Sequence, residues 1–175
     1  MGRFYDLPIS GEAGGTLTWR ADVQNGAESL SYLLASFAGG QNVIGGFGSL
    51  HNANGMSPEQ IVMQCGLADM AEYLVRGIDL GEARLGLRSI EEQGPGGNYL
   101  TDGMTLDLLR GGEFFESPYF DMSGGYADGA PGMCEIAHRV VEEVVAARRP
   151  AVPSRVDEAI RRFFGECYVD KSLRE

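Results

Sequence analysis

The chain has 175 residues, 43% of them hydrophobic and 22% charged, with a formal net charge of −11, a composition typical of one soluble globular domain. The acidic balance disfavours nucleic acid as a partner, and because no apolar run could span a bilayer and no targeting or lipid-attachment motif opens the sequence, we expect a cytoplasmic protein without a membrane partner. The three cysteines, Cys65, Cys134 and Cys167, lack the spacing of a zinc or redox site, so we interpret them as free thiols, mostly in the core, and expect no bound metal.

The first unit of the chain is a strand that leads through a Gly-rich loop into a helix. Residues 1–5 are typical of the last turn of a helix, so the sequence is expected to start within a larger fold. Residues 7–10 are predicted as a strand that runs into several glycines. Apolar side chains at helical spacing then predict a helix over residues 22–37, which a pair of glycines ends.

The second unit repeats this order. Residues 42–44 are predicted as a strand that runs into the loop GGFGSLHNANG. Ser57 as N-cap, Pro58 at the first helical position and Gln60 as a capping-box residue predict a helix that ends near Arg76. Such a repeat is typical of a parallel α/β fold, in which ligands bind at the loops after the strands. Because two strands alone leave both sheet edges open, we expect an incomplete sheet.

The middle of the chain contains a second kind of Gly-rich segment. A helix is predicted over residues 80–92, and the motif EQGPGGNYLTDGM follows it. Within this motif, Thr101 is predicted to cap a helix over residues 104–110. A phosphate-binding loop follows a strand rather than a helix, so the motif alone is a weak indication of function.

Charge and glycine content divide the sequence at the same point. Residues 1–134 hold 17 acidic and 6 basic side chains, whereas residues 135–175 hold 8 of each, and 25 of the 26 glycines precede residue 135. Two helices are predicted in the second part, over residues 132–149 and from Ser154 onward. We therefore predict a helical tail over residues 135–175 that packs on residues 1–134.

The first loop carries the strongest candidate for a ligand site. The ring of Trp19, near the carboxylates of Glu12 and Asp22, suits a quaternary ammonium ion, which is attracted to the ring quadrupole and makes no conventional hydrogen bond. The alternative is that Trp19 packs in the core and Asp22 caps the following helix. In the second loop, Ser49 and His51 are two residues apart, so a catalytic triad cannot be argued from them.

In combination, LPISGEAGG, NVIGGFGSL, LVRGID and GPGGNYLT resemble, in this order, the carboxyl-terminal third of the trimethylamine methyltransferase family. The resemblance covers essentially the whole chain, including a tail formed by a helix, a proline-rich break and a second helix. It implies an α/β fold that comprises the last two βα units of a (β/α)8 TIM-type barrel and a helical C-terminal extension. The last two barrel strands would lie near residues 7–10 and 43–46.

The resemblance also implies an activity. Family members transfer a methyl group from a methylated amine to the cobalt of a cognate corrinoid protein that docks over the barrel mouth. The cobalamin would be carried by that partner, so no cofactor would bind directly, and a further chain would supply the missing strands. The sequence TWR at residues 18–20 stands where pyrrolysine enzymes carry their special residue, which favours a quaternary amine over trimethylamine.

The resemblance assigns residue roles as follows. Because a neutral amine leaves, no general base is obligatory, and Trp19 with Phe47 or Tyr99 is expected to cage the cation. The expected substrate-binding set is Glu12, Trp19, Arg20, Asp22, Phe47, Tyr99 and Asp102, with Arg20 pairing with any substrate carboxylate. The set expected to face the partner is Gly45, Gly46, Gly96, Gly97 and Asn98. Catalytic residues stay unassigned because Asn98 and Asp102 stand where relatives often have histidine.

Two other functions remain open from the sequence. The chain could be a non-catalytic fragment, or a subunit that acts only with a barrel-forming partner; an adjacent upstream frame that encodes the missing strands would favour the enzyme instead. An unrelated small α/β enzyme that binds an anion at its Gly-rich loops would be a stable monomer, which size-exclusion chromatography would show.

Overall fold

The structure is a computed structural model that describes residues 1–81, 84–122, 129–147 and 152–167. Over these residues it is a mixed α/β structure with small sheets. Its strands are β1 (Ser10–Glu12), β2 (Val43–Gly45), β3 (Ser49–Leu50) and β4 (Gly55–Met56). Its helices are α1 (Gly2–Tyr5), α2 (Val23–Gly39), α3 (Pro58–Val75), α4 (Leu87–Gln93), α5 (Gly103–Arg110), α6 (Met133–Ala146) and α7 (Ser154–Cys167), with a 3₁₀ turn at Tyr99–Thr101.

The predicted strand–loop–helix repeat is confirmed. β1 and β2 form a parallel pair in the register Ser10 with Val43, Gly11 with Ile44 and Glu12 with Gly45. α2 connects the two strands, and α3 follows β2. The second loop additionally contains the antiparallel hairpin β3–β4, which was not predicted because two-residue strands are too short to show a polar–apolar alternation.

The limits of α2 and α3 follow from local capping. The Asp22 carboxylate accepts a hydrogen bond from Asn25 N at 3.1 Å, and Gly40, with φ 70°, ends α2. Ser57 Oγ accepts from Gln60 N at 3.2 Å, so Ser57 is the N-cap of α3 as predicted. The predicted capping box is wrong, because the Gln60 side chain is buried and donates from Nε2 to Asn25 Oδ1 at 2.7 Å.

The first strand begins later than predicted. Pro8 has no N–H for a ladder, and the Ile9 amide donates to the Asn42 side chain at 2.9 Å instead of to a backbone carbonyl. β1 therefore shares only Ser10 with the predicted strand over residues 7–10. At the N-terminus, the predicted helical turn is confirmed by α1.

Two further limits differ from prediction. α4 begins at Leu87 rather than residue 80, because Gly86 before it is left-handed with φ 66°; residues 82 and 83 of the predicted helix lie outside the described residues. α5 is capped by Asp102 rather than Thr101, since Asp102 Oδ2 accepts from Met104 N at 3.0 Å.

The apolar core lies between α2, α3 and β2. Its fully buried members are few, and partly buried side chains surround them. The buried cluster is Ala13, Leu33, Leu67 and Ala71, packed by Leu30, Leu34, Phe37, Ile44, Phe47, Ala68 and Phe120. A core of this size leaves many large apolar side chains exposed elsewhere in the described chain.

One face of the strand pair is uncovered. Ile44 of β2 points to the core, so its neighbours Val43 and Gly45, with Ser10 and Glu12 of β1, point to the opposite face. Val43 is 60% exposed there. Ser10, Glu12 and Gly45 are exposed as well, and in the part of the chain that the structure describes no further strand pairs with either outer strand edge.

Residues 113–120 pack on α3. The Tyr73 hydroxyl donates to the Glu113 carbonyl at 3.1 Å, and the Phe115 ring lies 5.6 Å from the rings of both Tyr73 and Phe120. These aromatic contacts extend the core along the carboxyl-terminal half of α3.

The first turns of α6 also contact α3. His138 Nδ1 lies 3.0 Å from Glu59 Oε1. This hydrogen bond is the main cause that lowers the pKa of Glu59 to about 2, and hydrogen bonds from the Glu59 backbone amide and the Ser57 side chain lower it further. Cys134 Sγ lies 3.7 Å from Met63 Sδ. Cys65 and Cys134 are free thiols as predicted, but both are exposed rather than in the core; the Cys167 side chain lies outside the description.

The chain divides into two compact units, residues 1–141 and 142–175. In the second unit, α7 begins at Ser154 as predicted and exposes the rings of Phe163 and Phe164. The predicted end of the preceding helix at residues 148–149, and residues 168–175 of the tail, lie outside the described residues. None of the described helices combines the length and apolar character needed to cross a membrane.

Candidate functional site

Two loops meet at the carboxyl ends of the parallel strands. Loop 1 (residues 13–21) follows β1, and loop 2 (residues 46–56) follows β2 and contains the β3–β4 hairpin. Backbone hydrogen bonds join them: Asn52 N donates to Thr16 O at 3.0 Å and His51 N to Thr18 O at 3.3 Å. The two segments, which are distant in the sequence, therefore form one junction at the position where ligands of parallel α/β folds bind.

The hairpin tip adopts an unusual backbone conformation. His51, Asn52 and Ala53 have φ of 45°, 54° and 63°, all in the left-handed region. This region costs a non-glycine residue about 1–2 kcal/mol. The hydrogen bonds from the tip to loop 1 hold it in place, so loop 1 and loop 2 are ordered together.

Glycine permits the close approach of the two loops. A Cβ atom at Gly14 would collide with the backbone of Gly46 and Phe47, and one at Gly46, where φ is 83°, would collide with the Glu12 side chain. A Cβ at Gly15 would meet only Glu12 Oε1, at 3.7 Å. The absence of a Cβ atom at Gly14 and Gly46 thus allows the two loops to pack closely, whereas position 15 can accommodate a larger residue.

A buried glutamine side chain on α3 forms hydrogen bonds with the backbone of both loops. Gln64 Oε1 accepts from Gly48 N at 2.7 Å, while Gln64 Nε2 donates to Gly14 O and, at 3.0 Å, to Ser29 Oγ of α2. Gln64 is fully buried. One side chain therefore ties both loops to both helices. Sequence reasoning missed Gln64, although the polar pair Gln60 and Gln64, one helical turn apart on a face that also buries Met63 and Leu67, is a detectable signal.

A cavity of about 390 Å³ opens at the junction. Its lining residues are Glu12, Gly15, Thr16, Leu17, Tyr32, Ser49, Asn52 and Ala53. Among the described residues, no hydrogen bond or ion pair occupies the Glu12 carboxylate. The Ser49 hydroxyl is buried and also has no hydrogen-bond partner in the described structure. The Glu12 carboxylate is thus available to a ligand, whereas the Ser49 hydroxyl oxygen has no accessible surface.

The three aromatic residues of the predicted cage have separate environments. Trp19 stacks on His51, with ring centroids 4.9 Å apart and an interplanar angle of 29°. Phe47 packs against the apolar core, and Tyr99 donates its hydroxyl to Gly94 O at 3.3 Å. None of the three lines the Glu12 cavity, so the structure does not bring the predicted cage together.

The predicted charged residues also separate. Asp22 is a helix cap, as the alternative interpretation held, and the Arg20 side chain is exposed. Asp102 is 5% exposed; its carboxylate accepts from Ser89 Oγ at 2.9 Å and from Met104 N at 3.0 Å. The Ser89 hydrogen bond is the main reason that the pKa of Asp102 lies below its usual value. Of the predicted charges, Glu12 alone lines the cavity at the junction.

The residues predicted to face a partner fall into two groups. Gly45 and Gly46 lie at the end of β2, beside loop 1, whereas Gly96, Gly97 and Asn98 belong to the segment between α4 and α5. Asn98 Oδ1 accepts from Leu100 N at 3.1 Å and starts the 3₁₀ turn. The two groups lie in different segments, and no described contact joins them.

A second cavity of about 400 Å³ lies between α4 and α5. Its two arginines are paired: Arg84 Nη1 with Glu113 at 3.1 Å and Arg88 Nε with Glu92 at 2.7 Å. Asp102 also lines it, with the carboxylate engaged as described above. No group of three or more His, Cys, Asp or Glu suited to a metal occurs among the described residues.

The amino-acid sequence is similar to that of known proteins. The sequence profile of the trimethylamine methyltransferases (MTTB) matches residues 1–167. Trimethylamine methyltransferase MttB of Methanosarcina barkeri is 28% identical over 149 residues, which are 83% of this chain and 30% of that protein. Glycine betaine methyltransferase of Desulfitobacterium hafniense is 28% identical over 171 residues, 95% of this chain and 35% of that protein.

A third relative, the proline betaine:corrinoid methyltransferase of Eubacterium limosum, is 29% identical over 104 residues, 58% of this chain and 21% of that protein. The chain thus spans about a third or less of the length of these curated relatives. Its similarity to the first two extends over most of its own length.

Proposed function

The chain belongs to the trimethylamine methyltransferase family, as the motif order predicted, and from this premise we propose that it takes part in methyl transfer from a methylated amine to the cobalt of a corrinoid protein. Two relatives are named for quaternary amines, glycine betaine and proline betaine, and one name includes a corrinoid. We propose a quaternary amine as the substrate class of this chain.

The free Glu12 carboxylate is the observation that carries the proposal. It lines a cavity at the carboxyl ends of β1 and β2, and no described residue neutralises it. Glu12 is an exposed residue, so its carboxylate is open to a cation that enters the cavity from solvent and attracts it by opposite charge. The cavity is much larger than a trimethylammonium group, so a methylated amine can enter it.

The proposed step requires no proton transfer by the protein. When the methyl group leaves the ammonium nitrogen, the electron pair of the broken bond stays on nitrogen and a neutral amine departs. The tasks of the chain are then to bind the cation, to orient one methyl group and to exclude water. In this scheme Glu12 binds the cation. The junction, which Gln64 holds in place, orients the methyl group that is transferred.

A corrinoid, when its carrier protein docks, supplies the nucleophilic cobalt electron pair that accepts the methyl group. The loop ends fit such an approach. A Cβ added at Gly45 would meet nothing closer than Gly11 O at 4.0 Å, so a flat macrocycle has open backbone to lie against. Gly45 is therefore the glycine of this loop end that we propose faces the partner, whereas the Glu12 side chain fills the space beside Gly46.

We propose further that β1 and β2 are the last two strands of a (β/α)8 barrel that another chain completes. The uncovered sheet face, the unpaired strand edges of the described residues and the small core support this arrangement. A subunit that acts only with such a chain is the second candidate, and the same observations favour it.

The test is an assay of the chain alone and of the chain co-expressed with the product of the adjacent upstream reading frame. Each receives a reduced corrinoid protein and a panel of quaternary amines, and the demethylated amine is measured by mass spectrometry. We expect formation of demethylated amine, and a fall in kcat/KM of about tenfold or more in Glu12→Gln, because the cation loses its counter-charge.

The matched control is Glu91→Gln, which removes one exposed carboxylate of α4 and should leave kcat/KM within about twofold. Absence of demethylated amine in every folded assembly would overturn the enzymatic proposal and favour a non-catalytic subunit. Equal rates for wild type and Glu12→Gln would remove Glu12 from the site.

A further inference from the structure

The Glu12 cavity has an aromatic wall that the sequence did not indicate. Tyr32 of α2 lines it together with Glu12 and Ser49. Tyr32 is 41% exposed, although it lies in the middle of a helix whose other face is buried against α3. A large ring left partly open at the wall of a cavity is a candidate contact surface for a ligand.

Loop 1 is held against the part of α2 that carries Tyr32. Glu28 Oε2 accepts from Leu17 N at 2.7 Å, and Gln24 Nε2 donates to Glu28 Oε1 at 2.8 Å. Glu28 and Tyr32 are four residues apart and therefore lie on the same side of α2. Leu17 and Tyr32 thus become walls of one cavity, while both Glu28 oxygens are occupied.

The Tyr32 ring is available, whereas the Trp19 ring is covered on one face. In the described structure, no aromatic ring stacks on Tyr32, and its hydroxyl makes no hydrogen bond. Trp19 stacks on His51, and its six-membered ring also lies against Gly55. The free ring at the cavity with the free carboxylate is therefore that of Tyr32.

We infer that Tyr32 presents the aromatic face that contacts the cationic head of the ligand in the Glu12 cavity, and that Trp19 does not; this inference rests on the function proposed above. A ring face and a carboxylate in one cavity select a quaternary ammonium over a neutral group of the same shape, because the attraction is electrostatic. Tyr32 is accordingly a specificity-determining residue.

The Ser49 hydroxyl oxygen makes no hydrogen bond in the described structure, but it has no accessible surface and so does not contact a ligand in the cavity. The ligand class is therefore defined by the cation alone, as a quaternary ammonium ion.

The experiment is isothermal titration calorimetry of the full chain with choline and with 3,3-dimethylbutan-1-ol, its uncharged isostere. The variants are Tyr32→Leu, Tyr32→Phe and Trp19→Leu. We expect Tyr32→Leu to weaken choline binding about 3- to 30-fold, and Tyr32→Phe and Trp19→Leu to stay within about twofold of wild type. The isostere should bind at least about tenfold more weakly than choline, and its affinity should change little in Tyr32→Leu.

If circular dichroism shows that Tyr32→Leu does not fold, phenylalanines with increasing fluorine content at position 32 replace it, and choline affinity should fall with each fluorine. Loss of choline binding in Trp19→Leu with no change in Tyr32→Leu would overturn the inference. No choline binding by the folded wild-type chain would also overturn it. Choline binding with the expected pattern but no methyl transfer in any assembly would support the inference and overturn the proposed function alone.

Discussion

The two Gly-rich regions of this chain use glycine for different physical reasons. At the junction of loops 1 and 2, Gly14 is required because neighbouring backbone occupies the space of its Cβ atom. Between α4 and α5, Gly94 and Gly96 have φ of 64° and 76°, and a Cβ atom at either would meet nothing within 4 Å. Glycine thus permits close packing between two loops in the first region. In the second it permits a turn at Gly94 and Gly96, and at Gly97 a contact with the backbone of Gln93 within the same turn, where a Cβ atom would collide.

The side chains beside these glycines differ in the same way. Among the described residues, the side-chain oxygens of Glu12 and Ser49 at the junction make no hydrogen bond, whereas Asn98 and Asp102 in the second region cap helical turns. A Gly-rich motif with polar neighbours is therefore a candidate site only where those neighbours are not already used by the fold. By this criterion we propose the junction, rather than residues 94–103, as the site.

Removal of the Gln64 anchor should have the largest effect. Gln64→Leu leaves the buried Gly48 N–H and Gly14 C=O without partners, so we expect a loss of about 3 kcal/mol or more in the free energy of unfolding, measured by urea denaturation. Glu72→Leu replaces an exposed polar side chain of the same helix and should stay within about 0.5 kcal/mol of wild type. Equal stability of the two variants would show that the junction does not depend on Gln64.

Two adjacent glycines of loop 1 provide the next test. Gly14→Ala forces a methyl group onto the Gly46 and Phe47 backbone, so we expect a loss of about 2 kcal/mol in unfolding free energy. Gly15→Ala meets only ordinary contacts and should be nearly neutral. If both variants melt at the same temperature as wild type, that result would contradict the close contact between the two loops at Gly14.

Much of the scaffold could be predicted because its signals are local. Asp22 and Ser57 as N-caps and Gly40 as a C-cap lie within a turn of the helix ends that they define, so α2 and α3 were placed within a few residues. β2 was similarly placed by its short apolar run. The start of α4 depends on the left-handed Gly86, a conformation that the sequence does not specify.

The site was only partly predictable because it depends on residues distant in the sequence. Glu12 was named from its proximity to Trp19, yet the ring that shares its cavity belongs to Tyr32. Gln64 bonds Gly14, 50 residues earlier, and such pairing leaves no trace in local periodicity. Asp102 was named as a substrate-binding residue, and the structure shows its carboxylate as the cap of α5. A carboxylate before a helix is ambiguous between a cap and a ligand until its partners are seen.

A smaller effect is expected at the second region. Asp102→Asn should lower the melting temperature by about 2–4 °C at pH 7, because the charged cap of α5 is weakened. The pKa of Asp102 is depressed in the folded state, so its stabilisation is present above the unfolded pKa and is lost as pH falls through the lower folded value. The difference between wild type and variant should therefore vanish in acid.

The control for this variant is Asp107→Asn, which neutralises a carboxylate in the same helix that caps nothing. It should leave the melting temperature nearly unchanged. A melting-temperature difference between wild type and Asp102→Asn that persisted undiminished at low pH would contradict a role of the ionised carboxylate in the cap.

The binding position of a quaternary amine can be mapped directly. In ¹H–¹⁵N correlation spectra of the full chain titrated with choline, we predict saturable shifts of the amides of Glu12, Gly15, Thr16, Leu17 and Asn52, with those of residues 94–103 unmoved. Saturable shifts confined to residues 94–103, or no saturable shift around Glu12, would contradict the assignment of the site to the junction of the two loops.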